Sequence, residues 1–319
     1  MIRVSRFGAT LIDRRCANVY SSPSRPIHMD DIGVIGVGHI GNGFLENLLA
    51  DGYDVTVYDI DETKLERASE RGASRATSPA ALATAVDAVV MAVPGTPEVE
   101  ATMGGTDGIL ASESLPSLII DVTTTLPETS LECQTLCADA DIRFLEAPIT
   151  GGSPREGMHM IVGGSEADYD AASDLLDSLC TDHTRIGPVG DATIFKLGLQ
   201  VRYAGHHAID AEIIEFMRAN DVDPDPLVDF LEFDIWERYF SGDFSQDIEG
   251  LGGLAIWHKD IGYARQVARE TETALPLAGV LAEAYKATVR RTSDEEGHAA
   301  ALRTYWQVLN GMEDGENDS

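Results

Sequence analysis

Short apolar runs alternate with stretches of helical spacing through the first half of this chain, and then the runs stop. Ile32-Gly33-Val34-Ile35-Gly36-Val37, Val55-Thr56-Val57-Tyr58, Ala88-Val89-Val90-Met91-Ala92-Val93, Leu118-Ile119-Ile120-Asp121-Val122 and Ile142-Arg143-Phe144-Leu145-Glu146 each read as a buried strand. After the first, Phe44, Leu45, Leu48 and Leu49 recur at helical spacing, and Pro127 suits the first turn of another helix. Repeated strands with helical segments between them predict an α/β fold with a parallel, doubly wound sheet. Ligands of such sheets sit beyond the carboxyl ends of the strands. Val93-Pro94 and Thr123-Thr124 fall there.

From Lys196 onward strand signals vanish. Phe195, Leu199, Ile209, Ile213, Phe216 and Met217 recur at helical spacing to about Ala219, which predicts a helix roughly 35 Å long. Pro224 and Pro226 end it, and further helices are predicted over 227–240, 254–271 and 277–291. His206 and His207 lie on the long helix, one toward the core and one toward solvent.

Charge narrows the class of protein. The 319 residues carry 54 acids against 23 basic residues, a net charge of -31. Nucleic acid and anionic membrane are excluded as partners, because phosphates would be repelled. Only four of the basic residues are lysine, and Lys196 and Lys259 stand in contexts that look catalytic. An acidic, arginine-for-lysine composition fits a protein working in high salt, where repulsion is screened over a few ångströms. Cys16, Cys133, Cys137 and Cys180 form no Cys-x-x-Cys pair and read as reduced thiols of a cytoplasmic protein. No His/Cys cluster has the spacing of a metal site. No apolar run approaches the ~20 residues of a membrane span.

The first strand leads into Gly36-Val37-Gly38-His39-Ile40-Gly41, and the second ends at Asp59. Strand, glycine turn, helix, strand and acid in this order make a Rossmann dinucleotide site. The first glycine permits the tight turn, the second lets the backbone approach a pyrophosphate, and the third lets helix pack on strand. Gly36, Gly38, His39, Ile40 and Gly41 are thus candidate cofactor contacts at a helix N-terminus. Asp59 is placed to accept hydrogen bonds from the ribose hydroxyls and to repel a 2′-phosphate. No arginine follows it, so NAD is predicted over NADP.

Four ordered segments together resemble the β-hydroxyacid dehydrogenases. They are the Gly36–Gly41 turn, Asp121-Val122-Thr123-Thr124, Glu146-Ala147-Pro148-Ile149-Thr150-Gly151-Gly152 and Gly190-Asp191-Ala192-Thr193-Ile194-Phe195-Lys196, with Lys259-Asp260 matching a later Lys-Asp pair. The resemblance implies that Val93, Pro94, Thr124 and Lys259 contact the cofactor. It implies that Thr123 and a Thr150-Gly151-Gly152 turn hold the substrate carboxylate, and that Lys196 is the general acid/base. A lysine partly desolvated near the nicotinamide has its pKa lowered toward neutrality, which suits that role. Gln200 stands where the family has asparagine and is assigned to the substrate. The 151–157 segment is shorter than usual and carries Arg155. Glu212 reads as a salt-bridge residue. The implied reaction interconverts a small 3-hydroxy acid and its semialdehyde or keto acid. An imine reductase shares the scaffold but lacks the catalytic lysine, and a nucleotide-binding module without turnover is the reading outside enzymes.

The predicted organisation is a disordered extension over 1–29, a dinucleotide-binding domain over 30–190, an all-α substrate and oligomerisation domain over 191–310, and a disordered acidic tail over 311–319. A homodimer or homotetramer is implied.

Overall fold

The computed structural model describes residues 29–289 except 155, 225, 228, 229 and 231–253. The residues before Met29, the acidic tail, Arg155 and most of the predicted 227–240 helix lie outside the described residues. Met29, assigned above to the extension, is partly buried against the core and belongs to the fold.

The strand–helix alternation runs β1 (Asp31–Ile35), α1 (His39–Asp51), β2 (Asp54–Tyr58), α2 (Glu62–Glu70), β3 (Ser74–Arg75), α3 (Pro79–Thr84), β4 (Ala88–Met91), α4 (Thr96–Gly104), β5 (Leu118–Asp121), α5 (Pro127–Asp139) and β6 (Arg143–Glu146). The order across the sheet is β3-β2-β1-β4-β5-β6, all parallel. Alternation of side chains across the strands divides the core into two layers. Ile32, Val34, Val90, Ile120 and Leu145 pack on one face with Phe44, Leu45 and Leu48 of α1. Ile35, Val89, Met91, Ile119 and Phe144 pack on the other with Leu82, Val99, Cys133 and Cys137.

Beyond β6 the sheet departs from the parallel prediction. Residues 150–152, expected as a turn, belong to β7 (Ile149–Ser153), which runs antiparallel to β8 (Glu156–Gly163). Glu146 pairs with Gly163 and Ile149 with Met160, so β6 and β7 follow one register on β8 and form one strand bent at Ala147-Pro148. Two glycines weaken β7 as a strand by itself, and the antiparallel ladder supplies what its propensity lacks. Helices α6 (Glu166–Ala171) and α7 (Ser173–Leu179) lead to β9 (Asp182–Gly187), which adds to the far side of β8.

The helical region begins with α8 (Asp191–Arg218), 28 residues long. Its alanines Ala204, Ala208 and Ala211 allow α9 (Leu254–Glu270) and α10 (Pro276–Val289) to approach closely, and a third core forms around Ile214, Trp257, Ile261 and Tyr285. His206 is exposed, whereas His207 stacks on Trp257 with ring centroids 4.7 Å apart. Glu212 is exposed; the buried acid of this helix is Glu215, which pairs with Arg218 at 3.1 Å. No helix of the described residues is long and apolar enough to cross a membrane.

Candidate active site

The glycine turn is built by close backbone approach. Gly36 has φ +86°, and a side chain there would strike the Ala92 carbonyl at 2.3 Å. A side chain on Gly41 would strike the Gly36 carbonyl at 1.8 Å, so α1 can lie against the end of β1 only with glycine at 41. At Gly38 a Cβ would meet nothing within 4 Å. Gly38 also caps α1 without a side-chain hydrogen bond, and the first turn of α1 holds no acid. Free N–H groups, the positive end of a helix and open space beside a glycine fit a pyrophosphate. His39 is exposed and Ile40 half-buried at this turn. Asp59 ends β2 as expected, and its carboxylate accepts N–H groups from Val37 and Asp61, each at 2.9 Å.

The strand ends beside this turn are cross-braced. Thr123 is buried, with its hydroxyl accepting the Val93 N–H at 3.3 Å and its own N–H donating to Asp121 at 3.0 Å. This contact ties β4 to β5 and uses the predicted substrate-binding hydroxyl as an acceptor, leaving its O–H to donate. Asp121 is 1% exposed. Burial pushes its carboxyl up to about 7, against the lowering effect of its Thr123 hydrogen bonds. Lys259, on α9, donates to the carbonyls of Pro94 at 2.7 Å and Thr124 at 3.2 Å. Tyr263, one turn on, accepts the Thr96 N–H at 3.3 Å. These contacts fasten the helical region onto the carboxyl edge of the sheet.

Lys196 owes its position to Glu146. That buried carboxylate accepts the N–H groups of Gly190 (2.6 Å), Ala192 (2.9 Å) and Thr193 (3.4 Å) and the Thr193 hydroxyl (2.7 Å). An acid at a helix N-terminus satisfies orphan donors and meets the positive end of the dipole. Glu146 thereby anchors α8 at the end of β6, and Lys196 follows on its second turn. Lys196 is only 7% exposed, and burial lowers its pKa to about 8, opposed by the nearby Asp260 charge and aided by Lys259. Its Nζ donates to Gln200 Oε1 at 2.9 Å, and Gln200 Nε2 donates to Asp260 Oδ2 at 2.5 Å. Gln200, assigned to the substrate from sequence, bridges Lys196 and Asp260.

Thr150 is half-buried on β7, and its hydroxyl shares a hydrogen bond with the Tyr203 hydroxyl of α8 at 3.2 Å. Gly151 takes φ +89° and Gly152 follows on the same strand. The hairpin tip is pinned to the cofactor helix: Pro154 packs against Gly43, and Asn47 Nδ2 donates to the Pro154 carbonyl at 3.3 Å. Glu146, Asp260, Tyr203, Tyr263 and Asn47 were not singled out as site residues from sequence. Of these, Asp260 carried a local signal in its adjacency to Lys259, and Glu146 in heading the Glu146-Ala147-Pro148 segment.

A dinucleotide turn and a depressed, water-shielded lysine joined through α9 to the same sheet edge define the class as a nicotinamide-dependent oxidoreductase acting on CH–OH groups. A family model described as the NAD binding domain of 6-phosphogluconate dehydrogenase matches residues 31–187. The chain is 27% identical to the mitochondrial 3-hydroxyisobutyrate dehydrogenase of Mus musculus over 270 residues, covering 80% of this chain and 81% of that protein. It is 26% identical to the L-threonate dehydrogenase of Cupriavidus necator, covering 86% and 96%. Its fold superposes on a 3-hydroxyisobutyrate dehydrogenase structure from Salmonella typhimurium with TM-score 0.74 at 21% identity, covering 86% and 99%. These likenesses support membership of the β-hydroxyacid dehydrogenase family. These likenesses support a nicotinamide cofactor without choosing between NAD and NADP.

Proposed function

We propose that this protein is an NAD-dependent dehydrogenase of a small, anionic 3-hydroxy acid, which it interconverts with the semialdehyde or keto acid. The observation that carries the reading is Lys196, buried and held near pKa 8 on the helix that Glu146 anchors to the sheet. The bound nicotinamide supplies the hydride acceptor for oxidation and the donor for reduction. Gly36, Gly38, His39, Ile40 and Gly41 hold the pyrophosphate, Asp59 faces the ribose, and Val93, Pro94, Thr124 and Lys259 form the wall beside the nicotinamide. Neutral Lys196 takes the proton of the substrate hydroxyl in oxidation and returns it in reduction. A pKa of about 8 keeps both protonation states populated near the working pH, as acid–base catalysis requires. The Thr150 hydroxyl and the backbone N–H groups of Gly151 and Gly152 orient the substrate carboxylate.

The same reading places the enzyme in a cytoplasm of high ionic strength as a homodimer or homotetramer. Its acid surface supports that setting, with 54 acids and four lysines. The imine reductase alternative is disfavoured by Lys196.

The test is NAD reduction in molar KCl with 3-hydroxyisobutyrate, 3-hydroxypropionate, L-threonate and glycerate. Turnover of at least one of these is expected. Tight NAD binding with no turnover of any would replace the enzyme by a nucleotide-binding module.

A further inference from the structure

Four side chains form one continuous polar chain from the interior of the helical region to the sheet edge. Lys196 donates to Gln200 (2.9 Å), and Gln200 donates to Asp260 (2.5 Å). Asp260 pairs with Lys259 (3.3 Å), which donates to the Pro94 and Thr124 carbonyls. Gln200 is 5% exposed and Asp260 1% exposed. The two ends dictate the amide's orientation. A charged lysine presents only donors, so it meets the oxygen, and a carboxylate presents only acceptors, so it meets the nitrogen.

We infer that Gln200 and Asp260 are positioning residues that set the charge of Lys196 and tie it to the seating of Lys259 on the strand ends. This rests on the acid/base role proposed for Lys196. An asparagine at 200 would be one methylene shorter and could not reach both Lys196 and Asp260 at these distances. The glutamine is therefore the residue that closes the chain. Asp260 Oδ1 is buried and takes no hydrogen bond among the described residues, and Lys259 Nζ stands 3.3 Å from it. When Lys259 seats on Pro94 and Thr124, the Asp260 charge is shared between Lys259 and the amide. The Asp260 charge favours the protonated form of Lys196. Both Gln200 Oε1 and Asp260 stabilise a charged Lys196, against burial and the Lys259 charge. Among the described residues the charges that act on Lys196 are those of Asp260 and Lys259, both on α9.

The experiment reads the lysine directly. Labelling with ¹³C,¹⁵N-lysine yields four side-chain signals because the chain has four lysines, and Lys196→Met identifies the relevant one. Titrations are compared for wild type, Gln200→Asn, Gln200→Met and Asp260→Asn. Gln200→Met keeps length and volume while removing the amide. The Lys196 midpoint is expected to fall by about one pH unit in each variant, since each removes a group favouring the cation. Where turnover is measurable, the alkaline rise of kcat for oxidation should move to lower pH by the same amount, with KM for the hydroxy acid little changed. Midpoints within about 0.2 of wild type in all folded variants would overturn the inference. So would an unchanged midpoint with a raised KM, which would return Gln200 to the substrate. If wild type oxidises none of the hydroxy acids, the proposed function fails, while the titration still decides this point.

Discussion

The Asp59 carboxylate accepts the Val37 N–H at 2.9 Å, so the acid that ends β2 is tied to the glycine turn that ends β1. One residue thus shapes the turn and, under the proposed function, also faces the ribose. Wild type is expected to use NAD better than NADP, because a 2′-phosphate at Asp59 meets like charge and loses the diol hydrogen bonds. Asp59→Ala should lose this preference and also weaken binding of both cofactors, since the Val37 N–H loses its acceptor. A comparison of kcat/KM for the two cofactors, in one high-salt buffer, checks both points. Equal or better use of NADP by wild type would show that Asp59 does not face the ribose.

Lys196→Ala should lower kcat by about 10²–10⁴, the usual cost of losing a positioned acid/base. NAD affinity, measured by calorimetry, should change little because the turn and Asp59 lie on other elements. A variant that keeps most of its kcat removes Lys196 from the chemistry.

Asp121 should make the fold less stable as pH rises. Its folded pKa of about 7 lies above the ordinary value of 3.8, so between roughly pH 4 and 7 the native state holds a proton that the unfolded chain releases. Stability contributed by the protonated form is present below this window and lost as pH climbs through it. Asp121→Asn removes the titration while keeping an acceptor for Thr123. The melting temperature of the variant relative to wild type should rise from pH 4 to pH 8, by an equivalent of up to about 4 kcal/mol. A difference that stays flat with pH would show that the Asp121 carboxyl keeps its ordinary acidity.

Salt should stabilise this protein. A net charge of -31 repels itself over distances that shrink from about 10 Å at 0.1 M salt to about 3 Å at 1 M. The melting temperature in KCl is expected to climb steadily from 0.1 to 2 M. A flat or falling dependence would refute the high-salt reading of the composition.

The glycine turn, the parallel strands β1, β2, β4, β5 and β6 and the lysine of α8 were legible in the sequence because each is written locally, whereas the two-residue β3 was not. Gly36 and Gly41 lie five residues apart, and the apolar runs that make β1, β4 and β5 need no distant partner to be recognised. The antiparallel hairpin of β7 was not legible, because Thr150-Gly151-Gly152 has no strand preference until β8 pairs with it. Beyond Gln200, one helical turn away, the surroundings of Lys196 were decided only by tertiary structure. Gln200 meets Asp260 across 60 residues, Glu146 caps α8 from 44 residues upstream, and Lys259 reaches Pro94 across 165. A hydrogen bond between residues so far apart leaves no period or spacing in the chain. It exists because the packing of α8 and α9 against the sheet excludes water and leaves each buried polar group only protein to bond with. The sequence by itself determined where a dinucleotide and a basic side chain would be presented. The fold decided that Lys196 would be buried, near neutrality, and answerable to Asp260.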